Sequence, residues 1–254
     1  MGKIIAIANQ KGGVGKTTTA INLSACLAEK RKKVLTIDMD PQGNTSSGLG
    51  IDKNNVEHTS YELIIGDMDI KDCIYPTMLR KLSIIPSNVN LSGAEIELIN
   101  IKKKEFLLKN KLEKIARKYD YIIIDCPPSL SLLTINALTA ADSVIVPIQS
   151  EYYALEGLSQ LIHTIDLIKE RLNPKLYIQG VLFTMYDQRT NLSNQVVDNV
   201  KANLDVHIYE TIIPRNVRLA EAPSYSLPII LYDSKSAGAF AYRKFAIEVI
   251  KEKR

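Results

Sequence analysis

The stretch from Lys3 to Thr18, KIIAIANQKGGVGKTT, joins a short apolar run to a glycine-rich loop and determines the fold. Its first part, Lys3 to Asn9, is rich in Ile and Ala, which is typical of a strand buried in a sheet. Apolar residues after Thr17 recur every three or four positions as far as Arg31, which predicts a helix. A strand, a glycine-rich loop and a helix in this order can place backbone N–H groups around a phosphate.

Apolar runs later in the chain repeat the character of the first strand. Strands are predicted at 33–38, 82–85, 121–125, 143–148, 176–183 and 208–213, and helices near 103–118, 153–172, 192–204 and 237–252. The stretch from Asp40 to Gly50 is rich in Gly, Asn and Ser and is predicted to be a loop. Alternating strands and helices indicate a doubly wound α/β fold, a mostly parallel sheet with helices on both faces. We expect one domain over residues 1–254.

The composition favours a soluble, cytoplasmic protein. Hydrophobic residues make up 46% of the chain, yet no run approaches the roughly 18 apolar residues that a membrane helix needs. The chain starts directly with a strand-like run, so no secretion signal is expected. Three cysteines without CxxC spacing are expected to be reduced thiols. The net charge of +4 permits an anionic partner without requiring one.

The glycine-rich loop carries the groups that a nucleoside triphosphate needs. Its glycines let the backbone wrap closely around an anion, Lys16 would reach the β and γ phosphates, and the Thr17 hydroxyl would ligate Mg²⁺. The general pattern GxxxxGK[ST] is not met, because its first glycine falls on Gln10. The alternative is a glycine-rich turn with an incidental lysine, which the strand–loop–helix context disfavours.

The motif KGGVGKTTT at residues 11–19 resembles the deviant Walker A motif of the ParA/MinD ATPases. The resemblance implies an ATP-sandwich homodimer in which Lys11 reaches the nucleotide of the partner subunit, with Lys11 and Lys16 both acting in catalysis. A solvated surface lysine is the alternative for Lys11. The resemblance also implies that Mg-ATP is bound by Lys11, Gly12, Gly13, Val14, Gly15, Lys16, Thr17 and Thr18.

Acidic residues end two of the predicted strands. Asp125 ends an apolar strand before Cys126-Pro127-Pro128, so its carboxylate is expected at the carboxyl edge of the sheet, where open α/β sheets bind ligands. Family resemblance makes this the Walker B position, which supports Mg²⁺ together with Thr17. Asp38 and Asp40 resemble the switch DxDPQGN, which implies that Asp40 positions the attacking water and that Asp38 is structural or near the metal. Simple turn capping is the alternative for Asp125 and for Asp40.

The C-terminal segment IPRNVRLAEAP at 213–223 looks like the chromosomal ParA subgroup, often called Soj, and the resemblance covers nearly the whole chain. It implies that Pro214 and Asn216 lie near the adenine, with an ordinary loop as the alternative. Arg189 and Arg218 match positions associated with sequence-nonspecific DNA binding. Such binding suits arginine because backbone phosphates supply most nonspecific affinity, although solvated surface arginines remain the alternative.

These motifs leave three hypotheses for function. The first is a nucleoid-associated partition ATPase that binds DNA as an ATP dimer and is stimulated by a ParB-like centromere-binding protein. The second is a MinD-like membrane-associated regulator of cell division, which would need an amphipathic C-terminal helix. Here the apolar residues of 245–254 are expected to pack on the sheet, leaving no stable membrane anchor. The third, an iron–sulfur ATPase like the nitrogenase iron protein, lacks a suitable cysteine pair.

Overall fold

A seven-stranded sheet forms the centre of the computed structural model, which describes residues 2–151, 154–187, 189, 195–197, 199–200 and 206–252. Its strand order is β3-β4-β2-β5-β1-β6-β7. Every neighbouring pair is parallel except β3 and β4, which are antiparallel. The strands are β1 Lys3–Ile7, β2 Val34–Asp38, β3 Tyr75–Pro76, β4 Leu82–Ile85, β5 Tyr121–Asp125, β6 Ser143–Gln149 and β7 Tyr177–Thr184.

Helices cover both faces of the sheet, which confirms the predicted doubly wound fold. Within the described residues they are α1 Lys16–Glu29, α2 Asn44–Gly48, α3 Ser60–Ile65, α4 Leu91–Glu97, α5 Leu107–Glu113, α6 Leu132–Ala140, α7 Ala154–Arg171, α8 Val217–Glu221, α9 Ile229–Tyr232 and α10 Ala237–Lys251. Alternate residues of β1 point to opposite faces, as the strand period of two requires. Ile5 and Ile7 pack in one buried cluster with α1 and α10, whereas Ala6 packs in the other with α6 and α7.

Strand register brings the functional segments together at the carboxyl edge of the sheet. Asp125 of β5 pairs in register with Ile7 of β1 and with Asp38 of β2. The loop after β1, the segment after β2 and the end of β5 therefore converge there. Strands β5 and β6 lie on opposite sides of β1, so the strand order changes direction at β1. Open α/β sheets bind ligands at such a switch point.

Two predicted elements differ from the structure. The stretch Asp40 to Gly50 is not wholly a loop, because α2 starts after Gly43, whose φ of 62° lies in the left-handed region. This short helix is held by Ser46, which hydrogen-bonds to Asp38. Residues 103–118 do not form one helix, since the left-handed backbone of Lys103, at φ 56°, precedes a short 3₁₀ turn before α5. Another 3₁₀ turn follows α5 at Ala116–Lys118.

A third prediction, a strand at 208–213, is wrong as stated. This segment runs alongside β7 and is hydrogen-bonded to it at separate points, with one bridge between Val181 and Ile208 and another, just past both segments, between Tyr186 and Pro214. The ladder is interrupted because the backbone N–H groups of Glu210 and Thr211 donate to the Glu248 carboxylate, at 2.7 and 3.1 Å. A side chain of α10 thus takes the place of a strand partner.

The remaining helical predictions have mixed outcomes. The helix near 237–252 is confirmed as α10, and most of the one near 153–172 as α7. The helix predicted at 192–204 lies largely outside the described residues. Within the described part of the chain, no helix is long and apolar enough to cross a bilayer. Phe245, Ala246 and Val249 of α10 are buried, as expected from the sequence. The single-domain assignment stays a prediction.

Candidate functional site

The glycine-rich loop between β1 and α1 is shaped by its backbone. Gly13 and Gly15 have φ angles of 74° and 86°, a left-handed conformation that residues with side chains rarely adopt. Among the described residues, a Cβ atom at Gly12 or Gly13 would meet nothing within 4 Å, so open space lies beside the loop. Helix α1 begins at Lys16, and no side chain in the described part of the chain caps its first turn. Its first N–H groups are therefore available to an anion, as helix N-termini often are.

Lys16 lies against this loop. Its side chain is almost buried, and its Nζ donates to the backbone carbonyl of Lys11 at 2.9 Å. Burial lowers the pKa of Lys16, while the nearby carboxylate of Asp125 opposes that shift. The ammonium group is thus held over the loop, where it can contact a phosphate.

Asp125 is the centre of a buried polar cluster. Its Oδ2 accepts hydrogen bonds from the Thr17 hydroxyl at 2.9 Å and the Thr45 hydroxyl at 2.6 Å. Its Oδ1 is buried and, among the described residues, has no hydrogen-bond partner. Burial, helped by the neighbouring charge of Asp38, raises the pKa of Asp125 to about 7. A hydroxyl and a carboxylate with a spare oxygen are donors that suit Mg²⁺, so Thr17 and Asp125 fit the metal role predicted for them.

Asp38 and Asp40 differ in their surroundings. Asp38 is fully buried and accepts hydrogen bonds from the Ser46 N–H and hydroxyl and from the Asp40 N–H, at 2.7 to 3.1 Å. Burial raises the pKa of Asp38 to about 6. Asp40 uses one oxygen to accept the N–H of Gln42 at 3.0 Å and lines the open hollow above the loop. Asp38 therefore stabilises the segment that follows β2, and Asp40 faces the hollow where a ligand would bind.

Two cavities adjoin at the loop. The phosphate hollow has a volume of about 360 Å³ and is lined by loop residues 12, 13 and 15–18 and by Asp40. A second cavity of about 390 Å³ shares Gly15, Thr18 and Met185 with it and is also lined by Pro214, Asn216 and Tyr242. Pro214 and Asn216 thus lie beside the loop, and Asn216 Oδ1 also caps α8 by accepting the Leu219 N–H at 3.2 Å.

The ammonium groups of Lys11 and Lys16 have different surroundings. Its ammonium group forms an ion pair with Glu151 of the same chain, and both side chains are substantially exposed. Lys11 does not line the phosphate hollow. The backbone N–H of Lys11 donates to Asn9 Oδ1 at 3.0 Å, which fixes the start of the loop while leaving the side chain at the surface.

Arg189 and Arg218 lie at the surface and outside both cavities. Arg189 is 86% exposed and binds the Asp187 carboxylate through two nitrogens, at 2.8 and 2.6 Å. Arg218 pairs with Glu221 at 2.9 Å and with Asp233 at 3.5 Å. Both cations are accessible to an anionic polymer, although each already has a carboxylate partner.

Several residues of the site were not singled out from the sequence. Thr45 and Ser46 anchor Asp125 and Asp38, and the signal that could have indicated them is their place just after the DPQGN motif. Glu151, Met185 and Tyr242 had no such signal, because they reach the site from distant segments and their proximity depends on the completed fold.

Comparison with known proteins agrees with this geometry. The model of the AAA domain family matches residues 2–178. The sporulation initiation inhibitor protein Soj of Bacillus subtilis is 58% identical over 249 residues, which cover 98% of each chain. The chromosome partitioning protein ParA of Myxococcus xanthus is 55% identical over 251 residues, covering 99% of this chain and 89% of that protein.

Solved structures show the same relationship. The cobyrinic acid a,c-diamide synthase of Mycobacterium smegmatis, with bound ADP and magnesium, is 37% identical with a TM-score of 0.88, covering 99% of this chain and 95% of that one. The septum site-determining protein MinD of Pyrococcus horikoshii, complexed with Mg-ADP, is 29% identical with a TM-score of 0.82, covering 99% and 97%. The chain belongs to the ParA/MinD family of deviant Walker A P-loop ATPases, in its chromosomal ParA (Soj) group.

Proposed function

We propose that this protein is a partition ATPase that dimerises on Mg-ATP, binds DNA without sequence preference and is reset by hydrolysis. A single observation carries the proposal. Lys16, Thr17 and Asp40 line the phosphate hollow and Asp125 accepts a hydrogen bond from Thr17, while Lys11 lies outside the hollow at the surface. The relatives named for chromosome partitioning support the biological context.

Each residue of the hollow has a role in the proposed hydrolysis. The loop N–H groups bind the phosphates, and Lys16 neutralises charge on the β and γ phosphates. Thr17 and Asp125 would hold Mg²⁺, which offsets the charge of the phosphate oxygens when bound. Asp40 orients the attacking water through its second carboxylate oxygen, which does not accept the Gln42 hydrogen bond. Phosphoryl transfer depends mainly on such positioning and on charge stabilisation.

Lys11 explains why a dimer would be needed. Within one chain its ammonium group pairs with Glu151 and does not line the hollow. An exposed ion pair contributes little to stability, about 0 to 1 kcal/mol, so it can be exchanged for a phosphate of a second subunit at low cost. Two chains facing each other would each supply a lysine to the other's nucleotide.

DNA binding would depend on the dimer in the same way. Arg189 and Arg218 are exposed cations whose contacts with phosphates would be individually weak. Dimerisation doubles their number on one surface and so makes binding depend on ATP. A ParB-like centromere-binding protein is proposed as the partner that stimulates hydrolysis and releases the DNA.

The MinD-like alternative is less well supported by the structure. A membrane-binding helix requires an apolar face that is free to enter the lipid interface. The apolar residues Tyr242, Phe245 and Val249 of α10 are instead buried in the core. We therefore keep membrane association as an outcome of the test and not as a second proposal.

Measurement of ATP turnover alone, with duplex DNA, and with DNA plus a candidate ParB-like protein tests the proposal. We expect slow basal turnover and a rise only when both are present. Cosedimentation with DNA and with anionic liposomes in the presence of ATP provides the second readout. ATP-dependent binding to DNA supports the proposal, whereas binding to liposomes and not to DNA would favour the MinD-like alternative.

A further inference from the structure

A second groove lies at the amino-terminal edge of the sheet, at the opposite ends of β4, β2 and β5 from the phosphate loop. One half is a hollow of about 360 Å³ lined by Lys33, Arg80, Lys81, Ser83, Lys118 and Tyr119. The other half, of about 430 Å³, is lined by the apolar residues Ala28, Leu79, Ile230 and Leu231 and by the charged residues Glu29, Arg31, Arg80 and Lys81. Arg80 and Lys81 line both halves, so we treat them as one feature, the amino-edge groove.

The fold fixes the cations of this groove close to one another. Val34 pairs in register with Leu82, so the preceding residues Lys33 and Lys81 start from adjacent strands, about 5 Å apart. The Val34 N–H donates to the Lys81 carbonyl at 2.9 Å, and Lys81 Nζ donates to the Arg31 carbonyl at 2.8 Å. The basic half is thus anchored to the sheet and does not depend on a flexible tail.

These cations lack carboxylate partners. Within the described part of the chain, Lys33, Arg80, Lys81 and Lys118 form no ion pair. Nearby carboxylates are engaged elsewhere. Asp120 accepts the backbone N–H of Lys33 at 2.7 Å. Glu29 is bound by the Arg243 guanidinium through two nitrogens, at 2.8 to 3.1 Å. Four exposed cations in one hollow repel one another, which an anionic ligand would relieve.

The apolar half decides which kind of anion fits. Leu231 is 44% exposed at the groove, and Leu79 is partly buried beside it. A DNA duplex presents phosphates and would leave these leucines without a contact partner. A protein segment that carries both carboxylates and a large apolar side chain would use both halves.

We propose that the amino-edge groove binds an acidic segment of a protein partner. Its carboxylates would contact Lys33, Arg80, Lys81 and Lys118, and an apolar side chain would pack on Leu79, Ile230 and Leu231. The residues that line this groove include neither the phosphate loop nor Arg189 or Arg218, so it adds a second partner surface to the ATPase.

The test uses full-length protein and fluorescein-labelled peptides. The first probe is a short peptide of Asp, Glu and Leu, the second has every Leu replaced by Ser, and the third is a labelled DNA duplex. Fluorescence anisotropy is measured for wild type, for Arg80→Glu/Lys81→Glu and for Leu231→Ser. Lys102→Glu, an exposed charge reversal that lies in neither half, is the matched control.

We expect wild type to bind the Leu-containing peptide, and the double reversal to weaken that binding at least about tenfold. Leu231→Ser should reduce affinity for the Leu-containing peptide alone, while Lys102→Glu leaves it unchanged. ATP turnover should stay at the wild-type rate in every variant. If the double reversal does not fold, as judged by circular dichroism, Lys118→Glu replaces it.

Three results would overturn the proposal. One is the absence of saturable peptide binding by wild type. Another is equal affinity for the Leu and Ser peptides, which would mean that charge alone acts. The third is loss of ATP-dependent duplex binding in the double reversal, which would assign the groove to DNA.

Discussion

At the carboxyl edge of the sheet, Asp38 and Asp125 are fully buried and held by the hydroxyl groups of neighbouring segments. At the amino edge of the same strands β2 and β5, Lys33 and Lys118 are exposed and form no ion pair within the described residues. The same strands therefore present preorganised charge at one end and solvated charge at the other.

This contrast has a physical reason. Burying a charge is costly unless it is hydrogen-bonded, so a site with buried carboxylates is suited to one ligand of fixed geometry, such as a metal-bound triphosphate. Exposed cations stay solvated by water, so no large desolvation cost opposes them in the free protein. They can adapt to a flexible, anionic partner. Changes at the carboxyl edge should accordingly have large effects on activity, and changes at the amino edge small effects on activity and stability.

The largest effect is expected from Lys16→Ala. Removal of the buried ammonium group leaves charge on the β and γ phosphates without compensation, so nucleotide affinity or turnover should fall at least about a hundredfold. Isothermal titration with ATP and a phosphate-release assay measure both quantities. Lys30→Ala, an exposed lysine just past the end of α1, is the control. Near-normal binding and turnover in Lys16→Ala would contradict the assignment of this hollow as the ATP site.

Asp40→Ala should affect hydrolysis but not binding. The loop and Lys16 remain intact, while the attacking water loses the group that orients it, so turnover should fall about ten- to a hundredfold with unchanged ATP affinity. Single-turnover phosphate release separates the two steps. Asp67→Ala, at an exposed carboxylate, is expected to behave as wild type. Equal turnover in Asp40→Ala and Asp67→Ala would show that Asp40 only caps a turn.

The sequence predicted the residues at the carboxyl edge of the sheet more accurately than the rest of the molecule. Lys16 and Thr17 lie where a strand, a loop and a helix follow one another in the chain, so their placement depends on local order. Asp125 ends a neighbouring strand, and its placement depends on parallel strands ending at the same edge. Tyr242 and Glu151 were not found, since they arrive from segments far away in the chain. The strand predicted at 208–213 was wrong because Glu248, about 35 residues later, accepts the backbone N–H groups of Glu210 and Thr211 and interrupts the ladder.

Neutralising Arg189 or Arg218 should have an intermediate effect. Each change removes one phosphate contact per subunit, so ATP-dependent DNA affinity should fall about three- to tenfold for unrelated sequences, with a shallower salt dependence. Retention of DNA measured against salt concentration gives both the affinity and the slope. Arg171→Ala provides an exposed arginine control. Loss of dimerisation in either variant would instead place these arginines at the subunit interface.

The buried carboxylates also predict a pH dependence of stability. Because burial raises the pKa of Asp125 to about 7 and that of Asp38 to about 6, the folded state binds more protons than the unfolded state between about pH 4 and pH 7. Without Mg²⁺ and nucleotide, the free energy of unfolding should therefore fall as pH rises through this range, by up to about 2 kcal/mol per pH unit where both carboxyls contribute. Asp125→Asn should make that slope shallower in urea denaturation, and an unchanged slope would contradict the proposed burial cost.

The smallest effect is expected at the amino edge. Arg80→Glu should change the free energy of unfolding by less than about 0.5 kcal/mol, because the side chain is exposed and forms no ion pair within the described residues. Urea denaturation of this variant beside wild type gives the difference. A loss of several kcal/mol would mean that the cations support the fold and that the contrast between the edges is mistaken.

Light scattering of Asp40→Ala with saturating Mg-ATP tests most directly whether Lys11 acts across a subunit boundary. We predict the mass of two chains with ATP, one chain without it, and one chain with ATP when Lys11→Ala is added to the same protein. The added Lys11→Ala change should leave ATP binding by each chain largely intact, because Lys11 does not line the phosphate hollow of its own chain. A single-chain mass for Asp40→Ala at saturating ATP, or a two-chain mass that persists after the Lys11→Ala change, would contradict the account.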